Sequence, residues 1–168
     1  MYLYLKQKVF AITEKFNFYD EGQNVVLTAK GSFFAIPKKF EIIENGAPIL
    51  QIKRKMFRIL PKYEMFDLPS KQSVCTIKRK FAITKSFIIT APHGQYKVNG
   101  SLFGYEFDIV APDGKSVVSV RKKYISWGDA YQIYFDETQI TAKIVAGILV
   151  TLDNAVHSNK DNRKLGFR

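Results

Sequence analysis

The sequence predicts a mainly β protein: a closed antiparallel barrel of about twelve strands, built from two duplicated halves around a C-terminal hydrophobic helix. Apolar and polar residues alternate with a period of two over most of the chain up to about Phe135, which is typical of strands with one buried face. A short basic string recurs four times in that region. Beyond it, one segment carries apolar residues on every face of a helix, which favours a buried helix.

The length of the chain fits one domain. Its 168 residues are 46% apolar and 14% aromatic, which is enough for one ordinary hydrophobic core. We expect a single barrel domain over residues 1–158 and a basic tail over residues 159–168. Within the domain we expect pseudo-repeats over residues 1–67 and 73–135 and a central helix over about 138–156.

Turn signals divide the β region into short strands. The pairs Asn45-Gly46 and Asp113-Gly114 supply the positive φ that tight hairpins need. Turn segments occur at residues 20–24, 44–48, 91–95 and 111–115. Each run between two turns is long enough for one or two strands, so hairpin-connected antiparallel sheet is predicted.

The basic string places a lysine three residues after an apolar residue in each of its copies. The four copies are Leu5–Phe10, Ile52–Phe57, Ile77–Phe81 and Val120–Tyr124. Such strings are often read as nucleic-acid or localisation signals. Because the string recurs four times within segments that have the period of β-strands, it instead predicts a repeated structural element.

Two of the copies belong to a longer internal match. The text from "KGSFF" at residue 30 to Tyr63 parallels the text from "NGSLF" at residue 99 to Tyr131. In this match Gly31 corresponds to Gly100, and Phe40 corresponds to Phe107. A duplicated unit of about 65 residues is the simplest explanation.

The last apolar segment predicts the filling of the barrel. Residues 140–152 are apolar on every face of a helix, but the apolar part is shorter than the roughly 20 residues that span a bilayer. Closure removes the open edges that an array of short strands would expose. A barrel of a dozen strands is too wide for its own side chains to fill, so the helix is predicted to occupy the interior.

These motifs resemble a known family. The repeated basic string, the glycines of "KGSFF" and "NGSLF", the stretch "SWGDAYQI" (126–133) and the segment "ILVTLDNAV" (148–156) are similar to the bacterial branch of the LURP-one-related family, in the tubby C-terminal-like superfamily. The resemblance covers residue 1 to about residue 156. It implies a twelve-stranded antiparallel barrel closed around a hydrophobic helix.

The resemblance also bears on function. Plant members of the family are associated with defence responses, tubby domains bind phosphoinositide headgroups, and the related scramblases act on phospholipids at membranes. A role at phospholipids is therefore implied for this chain. The tubby lipid site has no motif that aligns here, so no site residue follows from the resemblance.

Strand phase separates outward from inward residues within the basic string. Apolar residues take the odd positions from Cys75 to Ile83, so Lys78 and Lys80 should point outward and Arg79 inward. An unpaired guanidinium in an apolar interior is very costly. Either a bulge shifts the phase, or the residue lies near a barrel rim. The inward residues of the four copies are Gln7, Arg54, Arg79 and Lys122.

Two interpretations of the string stay open. In the first, the copies protect edges and set strand twist, and they recur because the unit was duplicated. In the second, the outward cations converge on one face and bind an anionic surface. The candidate anion- or lipid-binding residues are Lys53, Lys55, Lys78, Lys80, Arg121 and Lys123.

Charge and the absence of catalytic motifs set the functional expectation. A net charge of +11 favours anionic partners. We expect a non-enzymatic binding protein that associates with anionic phospholipid headgroups or a membrane surface; the alternative is a protein-interaction scaffold with an acidic protein partner. Neither His93, His157 nor Cys75 belongs to a catalytic or metal-binding motif, so no cofactor or metal is expected.

The expected setting of the protein follows from its composition. A single cysteine and an N-terminal stretch without an apolar signal favour a reducing, cytoplasmic location, with peripheral contact at the inner membrane surface. Nucleic acid is a poor candidate because the basic strings lack the exposed aromatic residues that stack on bases. We expect a monomer.

Overall fold

The described strands close into a ring. The computed structural model describes residues 1–6, 15–32, 39–55, 60–80, 86–102, 104–126 and 128–164, and for residues 32, 129 and 157–164 it describes the backbone. The strands are β1 (Tyr2–Lys6), β2 (Lys15–Tyr19), β3 (Val25–Ser32), β4 (Lys39–Glu44), β5 (Ala47–Arg54), β6 (Lys62–Asp67), β7 (Gln72–Arg79), β8 (Phe87–Ala91), β9 (Gly94–Ser101), β10 (Glu106–Val110), β11 (Ser116–Ile125) and β12 (Gly128–Phe135).

Each strand pairs antiparallel with its neighbours in sequence, and β1 pairs with β12 to close the barrel. The predicted fold class is thereby confirmed. Because all neighbours are antiparallel, the odd-numbered strands end and the even-numbered strands begin at one end of the barrel. The hairpin turns at the other end include Asn45 and Gly46, whose φ values are 49° and 80°, as an Asn-Gly turn requires.

Cross-strand pairing follows the internal match of the sequence. Gly31 pairs with Phe40 in the first half, and Gly100 pairs with Phe107 in the second. A Cβ atom on Gly100 would lie 2.6 Å from the carbonyl oxygen of Glu106, and its φ is +107°, so only glycine fits there. Corresponding strands such as β5 and β11 stand six positions apart in the ring of twelve, on opposite sides of the barrel.

The single described helix, α1, spans Ala142–Lys164, whereas the sequence predicts a helix over about 138–156. It begins later because Asp136 organises a turn ahead of it: the amide of Thr138 donates to Asp136 Oδ1 at 3.0 Å, and the amide of Gln139 donates to the Asp136 carbonyl at 3.0 Å. It ends later because backbone hydrogen bonding continues through the polar stretch after Val156.

Helix α1 runs through the barrel closer to one wall than to the other. Its residues from Ile144 to Leu152 are buried, and it packs against β3 to β7. A Cβ atom on Gly147 would lie only 3.0 Å from side-chain atoms of Leu50 and Met65, so this glycine permits the close approach. A narrow apolar cavity of about 10 Å³ lies on the other side, which is room for about one water molecule.

Candidate anion-binding site

Charge separates along the barrel axis. We call the end of the barrel where the even-numbered strands end the acidic end. It bears seven carboxylates: Asp20, Glu21, Glu44, Asp67, Asp113, Asp136 and Glu137. Its described cations are the N-terminal amine, Lys71, Lys115 and Lys143. Most of the other described lysines and arginines lie toward the opposite end, the basic end. One end of the molecule therefore attracts anions and the other repels them.

The basic end is richest in charge on the outer face of β2 to β7. We call this group of eight lysines the lysine belt: Lys15, Lys30, Lys39, Lys53, Lys55, Lys62, Lys78 and Lys80. Among the described residues, the carboxylates on the outer face of these strands toward the same end are Glu41 and Glu64. The belt is therefore strongly cationic.

Three pairs of lysines in the belt stand directly opposite each other on neighbouring strands. The pairs are Lys15 with Lys30, Lys39 with Lys53, and Lys62 with Lys78. Like charges in this position destabilise a sheet. Two of these lysines also face a carboxylate on their other neighbouring strand, Lys30 opposite Glu41 and Lys53 opposite Glu64, which offsets part of the repulsion. Eight lysines against two carboxylates still leave an excess of positive charge that attracts anions.

The residues beneath the belt fix its orientation. Phe16, Ile52 and Ile77 are buried next in sequence to belt lysines, so strand alternation points the lysines to solvent. The ammonium nitrogens of Lys53 and Lys55 lie 5.4 and 5.9 Å from the centre of the Phe66 ring, a cation–π arrangement. The belt is thus held on rigid strands, with an aromatic ring under two of its charges.

Two carboxylates lie among the belt lysines, Glu41 opposite Lys30 and Glu64 opposite Lys53. Glu64 forms an ion pair with Lys55 and accepts a hydrogen bond from Ser73 Oγ at 3.2 Å. The hydrogen bond from Lys55 is the largest cause of the lowered pKa of Glu64. Glu64 therefore stays ionised and compensates one lysine of the belt.

The structure brings together four of the six candidate residues. Lys53 lies next to the last residue of β5, and Lys55 follows that strand. Lys78 and Lys80 have the same positions relative to β7, and Lys62 lies between the two strands at the start of β6. The other two candidates, Arg121 and Lys123, lie on β11, on the opposite side of the barrel. The first basic string extends into residues 7–10, which lie outside the described residues. The copies thus share one end of the barrel but not one face.

Arg121 has a structural role in this arrangement. Its Nη2 lies 2.7 Å from Asp108 Oδ2, and its Nη1 donates to the carbonyls of Phe107 and Val120 at 2.9 and 2.8 Å. Burial would raise the pKa of Asp108, but the hydrogen bonds from Arg121 and Ser119 lower it. The guanidinium is therefore committed to joining β10 to β11.

Sequence patterns did not identify half of the belt. Lys15, Lys30, Lys39 and Lys62 belong to none of the basic strings. Each lies on the polar phase of a predicted strand, which was the available signal. Their contribution depends on cross-strand register, because register places each of them opposite another lysine.

The inward residues of the string lie at the rim of the barrel. Arg54 and Arg79 follow the buried Ile52 and Ile77 by two residues, and both are half-buried. The register shift between β6 and β7 lies at Met65 and Phe66, toward the acidic end, so it does not rotate Arg79 outward. The sequence left open either a bulge that shifts the strand phase or a position near the barrel rim, and the structure shows the position near the rim.

Other chemistry has little support in the part of the chain that the structure describes. No group of three His, Cys, Asp or Glu residues there could hold a metal ion. Burial raises the pKa of the Cys75 thiol to about 12, so the thiol stays protonated and unreactive. In the same residues, no helix has the length and apolar character needed to cross a membrane.

Comparison with known proteins identifies the family. A model of the LURP-one-related family matches residues 1–153. The chain is 30% identical over 164 residues to the protein named "Uncharacterized protein YxjI" of Bacillus subtilis (strain 168), covering 95% of this chain and 96% of that protein. Its fold is similar to that of an Arabidopsis thaliana protein solved by X-ray crystallography, with a TM-score of 0.65, 15% identity, and coverage of 93% of this chain and 91% of the other. The family match spans the whole barrel and the first half of helix α1, and the chain belongs to the LURP-one-related family.

Proposed function

We propose that this protein is a non-enzymatic binding protein that associates with anionic phospholipid surfaces through its lysine belt. The observation that carries the proposal is the set of three opposed lysine pairs on one outer face. Phospholipid headgroups present many negative charges over a broad area, which matches a broad array of ammonium groups better than a single deep pocket would.

The polarity of the barrel supports an oriented association. A surface of negative potential attracts the basic end and repels the acidic end, so the molecule should approach with the belt leading. Each lysine close to such a surface contributes about 1 kcal/mol of binding free energy. All eight belt lysines acting together would therefore contribute about 8 kcal/mol, which corresponds to a Kd of about 1 μM.

A vesicle-sedimentation assay with two charge-matched variants tests the proposal. Lys62→Gln/Lys78→Gln removes one opposed pair of the belt, whereas Lys71→Gln/Lys115→Gln removes two exposed lysines from the acidic end. At about 1 kcal/mol per lysine, the belt variant should bind phosphatidylglycerol vesicles about 30-fold more weakly. The variant at the acidic end should bind like the wild type.

Two results would contradict the proposal. One is equal recovery of the wild type with neutral and acidic vesicles at physiological salt. The other is an equal loss of binding in both variants, which would mean that net charge acts without the belt. Stoichiometric capture of one acidic protein, with no dependence on lipid, would instead favour the scaffold function.

A further inference from the structure

Two arginines point into the mouth of the barrel, on the face opposite to that of the lysine belt. Arg54 shares the inward phase of β5 with Ile52, and Arg79 shares that of β7 with Ile77; both isoleucines are fully buried. The residues paired with the two arginines, Tyr63 and Phe87, are also buried. The arginines are half-buried and therefore lie on the inner face beyond the core, at the basic end.

Tyr63 connects the strands of these arginines to helix α1. Its hydroxyl donates to Asn154 Oδ1 on the helix at 3.3 Å. Burial raises the pKa of Tyr63, and the positive charge of Arg54 opposes that rise. Because Arg54 lies directly opposite Tyr63 in the sheet, it is next to the contact between Tyr63 and the last buried turn of the helix.

Arg79 lies within reach of the same point. Its amide donates to the Pro61 carbonyl at 3.1 Å, immediately before β6. Register places Tyr63 opposite both Arg54 and Ile77. From the usual strand spacing and rise, the Cα atoms of the two arginines are roughly 12 Å apart. Two long side chains can converge on one ion across that gap.

Neither guanidinium has a carboxylate partner among the described residues. Glu64 is on the outer face and bonds to Lys55, while Asp153 of the helix accepts a hydrogen bond from Tyr105. Removing an unpaired cation from water is costly. Two half-buried cations on alternate strands at one end of the barrel can both donate to an anion bound between them.

We propose that Arg54 and Arg79 bind a terminal phosphate group in the mouth of the barrel. A guanidinium presents a planar fork of donors that matches phosphate oxygens, whereas lysine acts as a point charge. A terminal phosphate offers three free oxygens to two forks, and a phosphodiester offers two. The mouth thus adds chemical selectivity to the less specific attraction of the lysine belt.

Two kinds of molecule could supply a terminal phosphate group. One is a lipid with a terminal phosphate, such as phosphatidic acid; this source rests on the proposed membrane function. The other is a soluble phosphate monoester. Vesicles of phosphatidic acid and of phosphatidylglycerol, matched in surface charge, test the first source, and calorimetry with glycerol 3-phosphate tests the second.

Two pairs of variants separate the mouth from the belt. Arg54→Gln/Arg79→Gln removes two charges from the inner face of β5 and β7. Lys78→Gln/Lys80→Gln removes two charges from the outer face at the end of β7. Glutamine is the residue that the first basic string already has at the inward position. Arg54→Lys/Arg79→Lys keeps the charge and removes the forks, and it carries the test if the glutamine variant fails to fold.

The wild type should bind phosphatidic acid vesicles about tenfold more tightly than phosphatidylglycerol vesicles. Both arginine variants should lose this preference. The Lys78→Gln/Lys80→Gln variant should bind both vesicles more weakly and keep the preference. If the arginine variants melt at the same temperature as the wild type and still prefer phosphatidic acid vesicles, the inference is overturned.

The remaining outcomes distinguish this inference from the proposed function. Equal binding of the wild type to both kinds of vesicle, with no heat from glycerol 3-phosphate, overturns the arginine site and leaves membrane association standing. Binding of glycerol 3-phosphate that requires the arginines, without binding to either vesicle, supports the site and overturns membrane association.

Discussion

At the scale of single residues, strand phase decides which cations face solvent and register decides which of them meet. Lys62 and Lys78 each lie beside a buried residue in their own strand, Tyr63 and Ile77. Their phase could be read from the sequence, but their pairing could not, because it depends on the lengths of the turns between strands. The belt therefore depends on which residues pair across strands as much as on the number of lysines.

The ion pair between Asp67 and Lys143 joins the sheet to the start of the helix. Lys143 Nζ lies 2.5 Å from Asp67 Oδ1, and the amide of Ser70 donates to Asp67 Oδ2 at 3.0 Å. The hydrogen bond from Lys143 is the main cause that lowers the pKa of Asp67 from 3.8 to about 2. A carboxylate with a lowered pKa stabilises the folded state above its unfolded pKa.

We therefore expect acid to remove this contribution as the pH falls from about 4 to about 2. The loss should reach about 2 kcal/mol of unfolding free energy. Denaturant titrations of the wild type and Asp67→Asn across that range measure it, with Asp113→Asn, in an exposed turn, as the control. Parallel pH profiles for the wild type and Asp67→Asn would show that the ion pair contributes nothing.

At the scale of elements, helix α1 and the wall formed by β5 and β6 depend on each other. Gly147 brings the helix against Leu50, Ile52 and Met65, and Thr151 Oγ1 donates to the Gly147 carbonyl at 2.7 Å within the helix. The sequence predicts a buried helix from its apolar faces. It does not reveal which face approaches which wall, because that depends on complementary shapes.

Enlarging Gly147 should therefore destabilise the protein. Gly147→Leu places a large side chain where even a Cβ atom would be 3.0 Å from its neighbours, and overpacking of this kind costs about 1–3 kcal/mol. Gly147→Ala is the milder control, because higher helix propensity offsets part of its tighter contact. The difference in thermal melting between the two variants measures the effect. Equal melting of Gly147→Leu and the wild type would mean that the helix can shift away from this wall.

We attribute the features that corresponding strands share to the duplication that the sequence predicts. Arg54 and Lys122 occupy corresponding positions, each opposite a tyrosine, Tyr63 or Tyr131. The lysine belt covers the outer face of the first half and of the first strand of the second half, whereas Arg121, later in the second half, is committed to Asp108. The repeated sequence predicts the strand arrangement that the two halves share. Only the contacts show that the halves differ in charge.

At the scale of the whole molecule, charge is distributed unevenly along the barrel axis. Carboxylates gather at the acidic end, and lysines gather at the basic end on the side of β2 to β7. Net charge alone predicts attraction to anions without a direction. The strand order supplies the direction, since it places the lysines of β2 to β7 on a continuous part of the ring.

A fluorescent label at each end of the barrel tests this polarity most directly. Lys80→Cys and Lys115→Cys each replace one exposed lysine, at the basic and the acidic end, and the raised pKa of the buried Cys75 should protect that native thiol from labelling. On phosphatidylglycerol vesicles that carry a quencher in their headgroups, the label at position 80 should be quenched and the label at position 115 should stay bright. Equal quenching of the two labels, or stronger quenching at position 115, would contradict the claim that the basic end faces the membrane.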